Sequence, residues 1–200
     1  ALQNRGIGYV ELRAVDVNPY SAIGINEDTA GFLEVVALYC LLQDSPALLD
    51  AEQEIIDQNQ AEVVNRGRAP NAAILENGQK YLIEDWCAVH LARMQPLAEL
   101  LDAAYGNNLY TTAMKTMQIR VDEVDATLSA LVVGDIRKQG GMWHFGQVLA
   151  QQHAAVYQAH QLSKKTTAYF DELVQKSLQQ QQELEQDSSI SFAEYLAQFR

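Results

Sequence analysis

A single β-strand at the start of an otherwise helical sequence most limits what this chain can fold into. From Ile7 to Val17 the side chains alternate with a period of two, which predicts a strand that ends before Pro19. No second strand of comparable quality follows. A strand without a partner leaves its backbone hydrogen bonds unmade. We therefore expect either an isolated strand at the edge of the fold or one strand of a sheet whose other strands come from other sequence.

The rest of the sequence predicts a mainly α fold. Asn26 is suited to cap the first helix, because Glu27 and Asp28 follow it and carboxylates are favourable at a helix N-terminus. Pro96 is expected to kink the longest helix. The first predicted helix runs from the Asn26 cap to Asp44, and a second begins there and runs to about Asn65. The other predicted helices cover residues 79–105, 109–118, 126–138, 142–162, 167–186 and 192–199.

Charge narrows the class of partner. The chain has 14 Lys and Arg against 26 Asp and Glu, a formal net charge of −12. Binding to a nucleic acid or to an anionic membrane needs a basic protein surface, so this charge argues against both as partners. Nucleotide substrates stay possible, because a bound Mg²⁺ can reverse the sign of the local field.

Hydropathy and cysteines indicate a soluble, cytoplasmic protein. The most apolar run, Phe32 to Leu42, is too short to cross a bilayer and contains Glu34, and no signal peptide is visible. Cys40 and Cys87 each lie in a helical apolar pattern, which is typical of small core residues in a reducing compartment. A disulfide between them stays open, because pairing depends on geometry.

The histidines do not form a metal-binding pattern. His153 and His160 are seven residues apart and His144 is nine before His153, whereas a helical zinc pair favours a spacing of four. We expect satisfied or surface histidines.

Glu11 and Arg13 are the candidate functional pair. Two residues apart on one strand face, their Cα atoms lie about 6–7 Å from each other. The carboxylate could bind Mg²⁺ while the guanidinium binds a phosphoryl oxygen. On spacing alone, a structural cross-strand ion pair on a solvated sheet face is the favoured interpretation.

A longer string around this pair resembles the proteobacterial glutamate–cysteine ligases. The stretch YVELRAVDVNPYSAIGINEDTAGFLE, Tyr9 to Glu34, is similar to them without a gap, as are NRGRAP (Asn65 to Pro70) and, less closely, SFAEYLAQF (Ser191 to Phe199). Ala22 departs from the proline common in the family, and the stretch from Lys138 to Gly146 follows its pattern only loosely. The resemblance covers the whole chain and is to the C-terminal portion of such an enzyme.

The resemblance implies roles for named residues. Glu11 matches a strand glutamate that ligates Mg²⁺, and Arg13 matches an arginine that binds the transferred phosphoryl group and stabilises its charge. Asp16 and Asn18 belong to the same motif and are expected to fix the following loop by side-chain to backbone hydrogen bonds. The residues that bind the adenine and the cysteine substrate are not identified by it.

The resemblance also implies the reaction and the fold. The enzyme would make γ-glutamylcysteine, the first step of glutathione synthesis, from ATP, glutamate and cysteine through a γ-glutamyl phosphate. The strand at 7–17 would belong to a glutamine synthetase-like α+β sheet, with residues 1–25 as catalytic strand and loop and 26–200 as the helical C-terminal portion. The other metal carboxylates would lie in a preceding N-terminal portion, so we expect this chain alone to be inactive and the complete enzyme to be monomeric.

Two alternatives stay open. The chain could belong to a related ligase that joins glutamate to another amine. It could also be a helical interaction module in which the Glu11–Arg13 pair is structural.

Overall fold

A computed structural model describes residues 6–186 and 190–198, and this part of the chain is mainly helical, as predicted. Its regular elements are α1 (Glu27–Leu41), α2 (Asp50–Arg66), β1 (Ala73–Glu76), β2 (Gln79–Leu82), α3 (Ile83–Tyr105), α4 (Leu109–Asp122), a short 3₁₀ turn (Val124–Ala126), α5 (Leu128–Lys138), α6 (Met142–Ala159), α7 (Lys164–Gln186) and α8 (Phe192–Ala197).

The chain divides into two compact units, the first extending to His153 and the second beginning at Ala154. The core of the first unit lies where α1, α3 and α4 pack together. Its buried side chains are Val35, Leu91, Met94, Ala98, Tyr110 and Met114. Gly31 permits the close approach of α4, because a Cβ there would lie only 3.3 Å from Leu109 Cγ. The predicted division at residue 25 stays a prediction.

Local capping explains where these helices begin and end. Asn26 Oδ1 accepts the N–H of Thr29 at 3.1 Å, so the predicted N-cap of α1 is confirmed. Gly106 ends α3 in the left-handed conformation, with φ +66°. Pro96 lies inside α3, as expected.

Asp102 joins α3 to α4. Its buried carboxylate accepts hydrogen bonds from the N–H of Tyr110 at 2.9 Å and from the N–H and Oγ1 of Thr111 at 3.0 and 2.6 Å. These amides lie in the first turn of α4, where they have no intrahelical acceptor. Burial opposes ionisation of Asp102, but the hydrogen bonds from Thr111 and Tyr110 outweigh it and lower the pKa of the carboxyl group.

We expect Asp102→Asn to lower the thermal midpoint at pH 7. Because the pKa is lowered on folding, the contribution of the carboxylate is complete above its unfolded value of about 4 and is lost as the pH falls through the folded value. The difference in thermal midpoint between parent and variant should therefore become smaller below about pH 4. Thermal melts from pH 7 to pH 3 measure it, with the exposed Asp57→Asn as control. A gap that stayed constant with pH would contradict this role.

The hairpin β1–β2 corrects the sequence analysis, which extended a helix back to Gln79. The two strands are antiparallel, with Ala73 opposite Leu82, and the turn between them is formed by Asn77 at φ +51° and Gly78 at φ +75°. An Asn-Gly pair with both residues at positive φ is the favoured two-residue hairpin turn. Helix α3 therefore begins at Ile83.

The predicted strand from Ile7 to Val17 is not a strand within this chain. Residues 6–18 have no regular secondary structure, and residues 6–17 are exposed. No described segment lies beside them as a strand partner. The physical reason is the one that the sequence suggested, since a lone strand cannot make its backbone hydrogen bonds. The mainly helical fold class is confirmed.

The second unit contains α7, α8 and the end of α6. In α8 the side chains of Ser191 and Glu194 cap each other's backbone, so the predicted capping box is confirmed. Helix α8 ends at Ala197, and the predicted end at Phe199 lies outside the described residues. Helix α7 exposes an apolar stripe formed by Tyr169, Phe170, Leu173, Val174, Leu178 and Leu184. Within the part that the structure describes, no helix is long and apolar enough to cross a membrane.

The cysteines differ from the expectation in part. Both are free thiols; Cys87 is partly buried, but Cys40 is exposed rather than part of the core. Helix α1 turns the face that carries Val35 towards α3 and α4, and Cys40 does not lie on that face.

Candidate functional site

Glu11 and Arg13 form an ion pair at the surface. Arg13 Nε donates to Glu11 Oε1 at 2.9 Å and Arg13 Nη2 donates to Oε2 at 3.2 Å, so both carboxylate oxygens are engaged by the planar fork. The side chains are 83% and 56% exposed for Arg13 and Glu11. An ion pair so open to water adds little to stability. Solvent or a ligand can therefore replace either partner with little loss to the fold.

The loop that follows is anchored by Asn18. Asn18 is buried; its N–H donates to Gly24 O at 2.8 Å and its Oδ1 accepts the N–H of Tyr20 at 3.0 Å. Ser21 Oγ donates to Ile25 O at 2.7 Å. Gly24 has φ +78°, and a Cβ there would lie 3.2 Å from Val17 Cγ1, so both backbone and space favour glycine. The loop is a fixed connection between α1 and the exposed N-terminal segment, residues 6–17.

Asp16 occupies a different setting from Asn18. It lines a cavity of about 400 Å³ together with Val17, Pro19, Val132 and Phe145. No hydrogen bond of its side chain is found among the described residues. Of the two residues expected to support the loop, only Asn18 makes such a bond in this structure.

Contacts from distant helices hold the loop from outside, and the sequence analysis missed them. Tyr20 Oη donates to Asp135 Oδ2 of α5 at 2.8 Å, and Asp135 is paired with Lys138 Nζ at 2.9 Å. His153 Nε2 of α6 lies 2.7 Å from Pro19 O, so this nitrogen carries the proton and donates. His153 is thus a satisfied histidine, as predicted.

Two titrating groups in this support are shifted. Burial, followed by the hydrogen bond and the negative charge of Asp135, raises the pKa of Tyr20 to about 12. Hydrogen bonds from Lys138 and Tyr20 lower the pKa of Asp135. The phenol stays protonated and the carboxylate ionised, so their hydrogen bond persists through the neutral pH range.

Glu11 offers chemistry that suits Mg²⁺ but cannot bind it alone. Carboxylate oxygens are hard ligands that suit Mg²⁺, which takes six oxygen ligands in an octahedron, usually including waters and substrate phosphates. In the described residues no group of three or more His, Cys, Asp or Glu side chains is placed to hold a metal ion. Glu11 therefore fits as one ligand of a site that other groups complete.

Comparisons with known proteins all match this chain to glutamate–cysteine ligases. A family model described as glutamate-cysteine ligase matches residues 1–63. Glutamate–cysteine ligases of Alcanivorax borkumensis and Pseudomonas fluorescens are each 34% identical to this chain, covering all of it and 38% of their own length. A crystal structure of the ligase of Francisella tularensis in complex with AMP matches with a TM-score of 0.78 and 25% identity, covering all of this chain and 39% of that one. The resemblance stated from the sequence is confirmed, and the chain spans well under half the length of these relatives.

Proposed function

This chain is a relative of the glutamate–cysteine ligases along its whole length, and we propose that it forms part of an enzyme that joins glutamate to cysteine with ATP. The observation that carries the proposal is the Glu11–Arg13 pair, exposed on the segment that matches the family model. The AMP bound in the Francisella structure supports the use of an adenine nucleotide.

In the proposed reaction the γ-carboxylate of glutamate first takes the γ-phosphoryl group of ATP, which releases ADP. The amine of cysteine then attacks the acyl phosphate and displaces phosphate. Carboxylate and triphosphate are both anions, so they approach each other only where positive charge screens their repulsion. Bound Mg²⁺ would supply part of that charge, with Glu11 as one of its ligands.

Arg13 would supply the other part. Its guanidinium presents a fork of N–H donors that now engages Glu11 and that matches the oxygens of a phosphoryl group equally well. Exchange of Glu11 for a phosphoryl oxygen would also free the carboxylate to bind the metal. Separation of the exposed pair would thus leave Arg13 available to the phosphoryl group and Glu11 available to Mg²⁺.

Asn18 would act as a positioning residue. Its hydrogen bonds fix the backbone between the exposed segment and α1, and Tyr20 and His153 tie the same loop to α5 and α6. A rigid connection limits how far Arg13 can move relative to the helical core. The interior of the first unit would therefore serve as the support of one wall of the active site.

The exposed surface disfavours a self-contained interaction module. In the segment before the loop, Ile7, Tyr9, Val10 and Val17 are each more than 75% exposed. Soluble monomers rarely expose so many neighbouring apolar side chains unless another surface covers them. The proposal that the second substrate is cysteine, rather than another amine, rests on the relatives named above.

We expect no ADP release from the purified 200-residue chain with MgATP, glutamate and cysteine. One carboxylate cannot assemble the metal site, and the described residues offer no further cluster. A coupled ADP assay in which each amino acid is omitted in turn measures this. Turnover that required both amino acids would support the reaction but contradict the incomplete site. Turnover with glutamate and a different amine would point to the related ligase instead.

A further inference from the structure

A second cavity in the first unit lies away from the Glu11–Arg13 pair. It has a volume of about 430 Å³ and lies between the loop after α2, the start of α3 and the end of α4. Two arginines line it, Arg68 from the loop and Arg120 from α4, together with the partly buried thiol of Cys87. None of its lining residues belongs to the exposed N-terminal segment. The proposed ligase function does not use this cavity.

The two arginines have few partners of their own. Among the described residues, the one hydrogen-bond partner of Arg120 Nη1 is the thioether sulfur of Met117, at 3.5 Å, which is a weak acceptor. Arg68 Nη1 lies 3.5 Å from Ser129 Oγ, and its Nη2 lies 4.0 Å from Asp125 Oδ1. Within the described residues neither guanidinium has a carboxylate oxygen closer than that. Each guanidinium carries five N–H donors, so most of the donors are available.

The charged side chains that line the cavity balance, with two arginines against Glu84 and Asp125, whereas the chain as a whole has a net charge of −12. Two carboxylates also line it, but Glu84 is exposed and the side chain of Asp125 is fully exposed, so water screens both. Of the two arginines, Arg68 has a side chain that is 44% exposed and Arg120 is partly buried. Burial raises the pKa of the Cys87 thiol, which therefore stays neutral and adds no negative charge. In a chain of net charge −12, two under-partnered guanidinium groups that face one cavity mark a place for an external anion.

We propose that this cavity binds a small molecule that carries a phosphate group, with Arg68 and Arg120 as its binding side chains. A phosphate monoester carries a charge of about −1.5 to −2 at pH 7, which matches two guanidinium groups better than a single carboxylate does. Its oxygens also accept the paired N–H donors of a guanidinium. The volume leaves room for a body beyond the phosphate.

The test is titration of the 200-residue chain with orthophosphate, AMP and adenosine at constant ionic strength, by isothermal calorimetry. We expect saturable binding of orthophosphate and AMP, and none of adenosine. Arg68→Gln and Arg120→Gln should each weaken binding about tenfold, because each removes a charged donor of the anion. Arg120→Lys keeps the charge but loses the fork and should weaken it less.

Arg66→Gln is the matched control. Arg66 is two residues from Arg68, is paired with Glu62 at 3.6 Å and does not line this cavity, so binding should change less than about twofold. Circular dichroism establishes that each variant is folded. Tighter binding of AMP than of orthophosphate would identify a nucleotide as the source of the phosphate, and equal binding would identify the phosphate itself.

Alkylation of the two thiols locates the bound anion. Orthophosphate should slow the reaction of N-ethylmaleimide with Cys87, which lines the cavity, and leave the exposed Cys40 unaffected. Absence of saturable binding, or binding that neither arginine variant changes, would overturn the proposal. If Arg13→Ala instead abolished binding, the anion would belong to the proposed ligase site, so failure here and failure of the ligase function are distinguishable.

Discussion

Arg13→Ala is expected to lower kcat by about 10²–10³ in a complete enzyme, made by joining this chain to the preceding portion of the Alcanivorax ligase. The reason is that an arginine that stabilises charge during phosphoryl transfer acts mainly in the transition state. The KM for ATP should change much less. Steady-state ADP release at saturating glutamate and cysteine measures both constants. Since the pair is exposed and adds little to stability, the variant should keep the thermal midpoint of the parent.

Companion variants separate the roles of the two partners. Glu11→Gln should raise the Mg²⁺ concentration needed for half-maximal rate, because the amide is a weaker metal ligand than the carboxylate. Arg137→Gln, an exposed arginine of α5, removes the same charge at another surface position and should be silent. Full activity in both Glu11→Gln and Arg13→Ala would show that the pair is structural, as the interaction-module alternative requires.

The helices could be predicted because their signals are local. Asn26 before two carboxylates, Gly106 after an apolar repeat and the Ser191–Glu194 capping box each lie within a few residues of the boundary that they set. The signal for the hairpin was equally local, in the Asn77–Gly78 pair, but its strands have only four residues each. Such short strands show too little alternation to stand out beside the long apolar pattern of α3.

The contacts around the candidate site show where sequence reasoning ends. Glu11 and Arg13 are only two residues apart, so their side chains can meet without the packing of distant elements. Tyr20 and Asp135 are separated by 115 residues, and Pro19 and His153 by 134. No spacing along the chain encodes such pairs, because they depend on how α5 and α6 pack. The same holds for Arg68 and Arg120, which come to one cavity only because the loop after α2 lies beside the start of α3 and the end of α4.

Leu91→Ala is expected to cost about 2–5 kcal/mol of unfolding free energy, since Leu91 is only 6% exposed and its truncation leaves a cavity among α1, α3 and α4. Val89→Ala is the matched control, because Val89 lies on the same helix but is 49% exposed and should lose less than about 1 kcal/mol. Urea unfolding followed by tryptophan fluorescence measures both, since Trp86 and Trp143 both lie in the first unit. Equal losses in the two variants would show that the core does not lie where these three helices meet. Because α1 begins directly after the anchored loop, a loosened core should also loosen the Asn18 anchor, and in the complete enzyme Leu91→Ala should lower the temperature at which activity is lost.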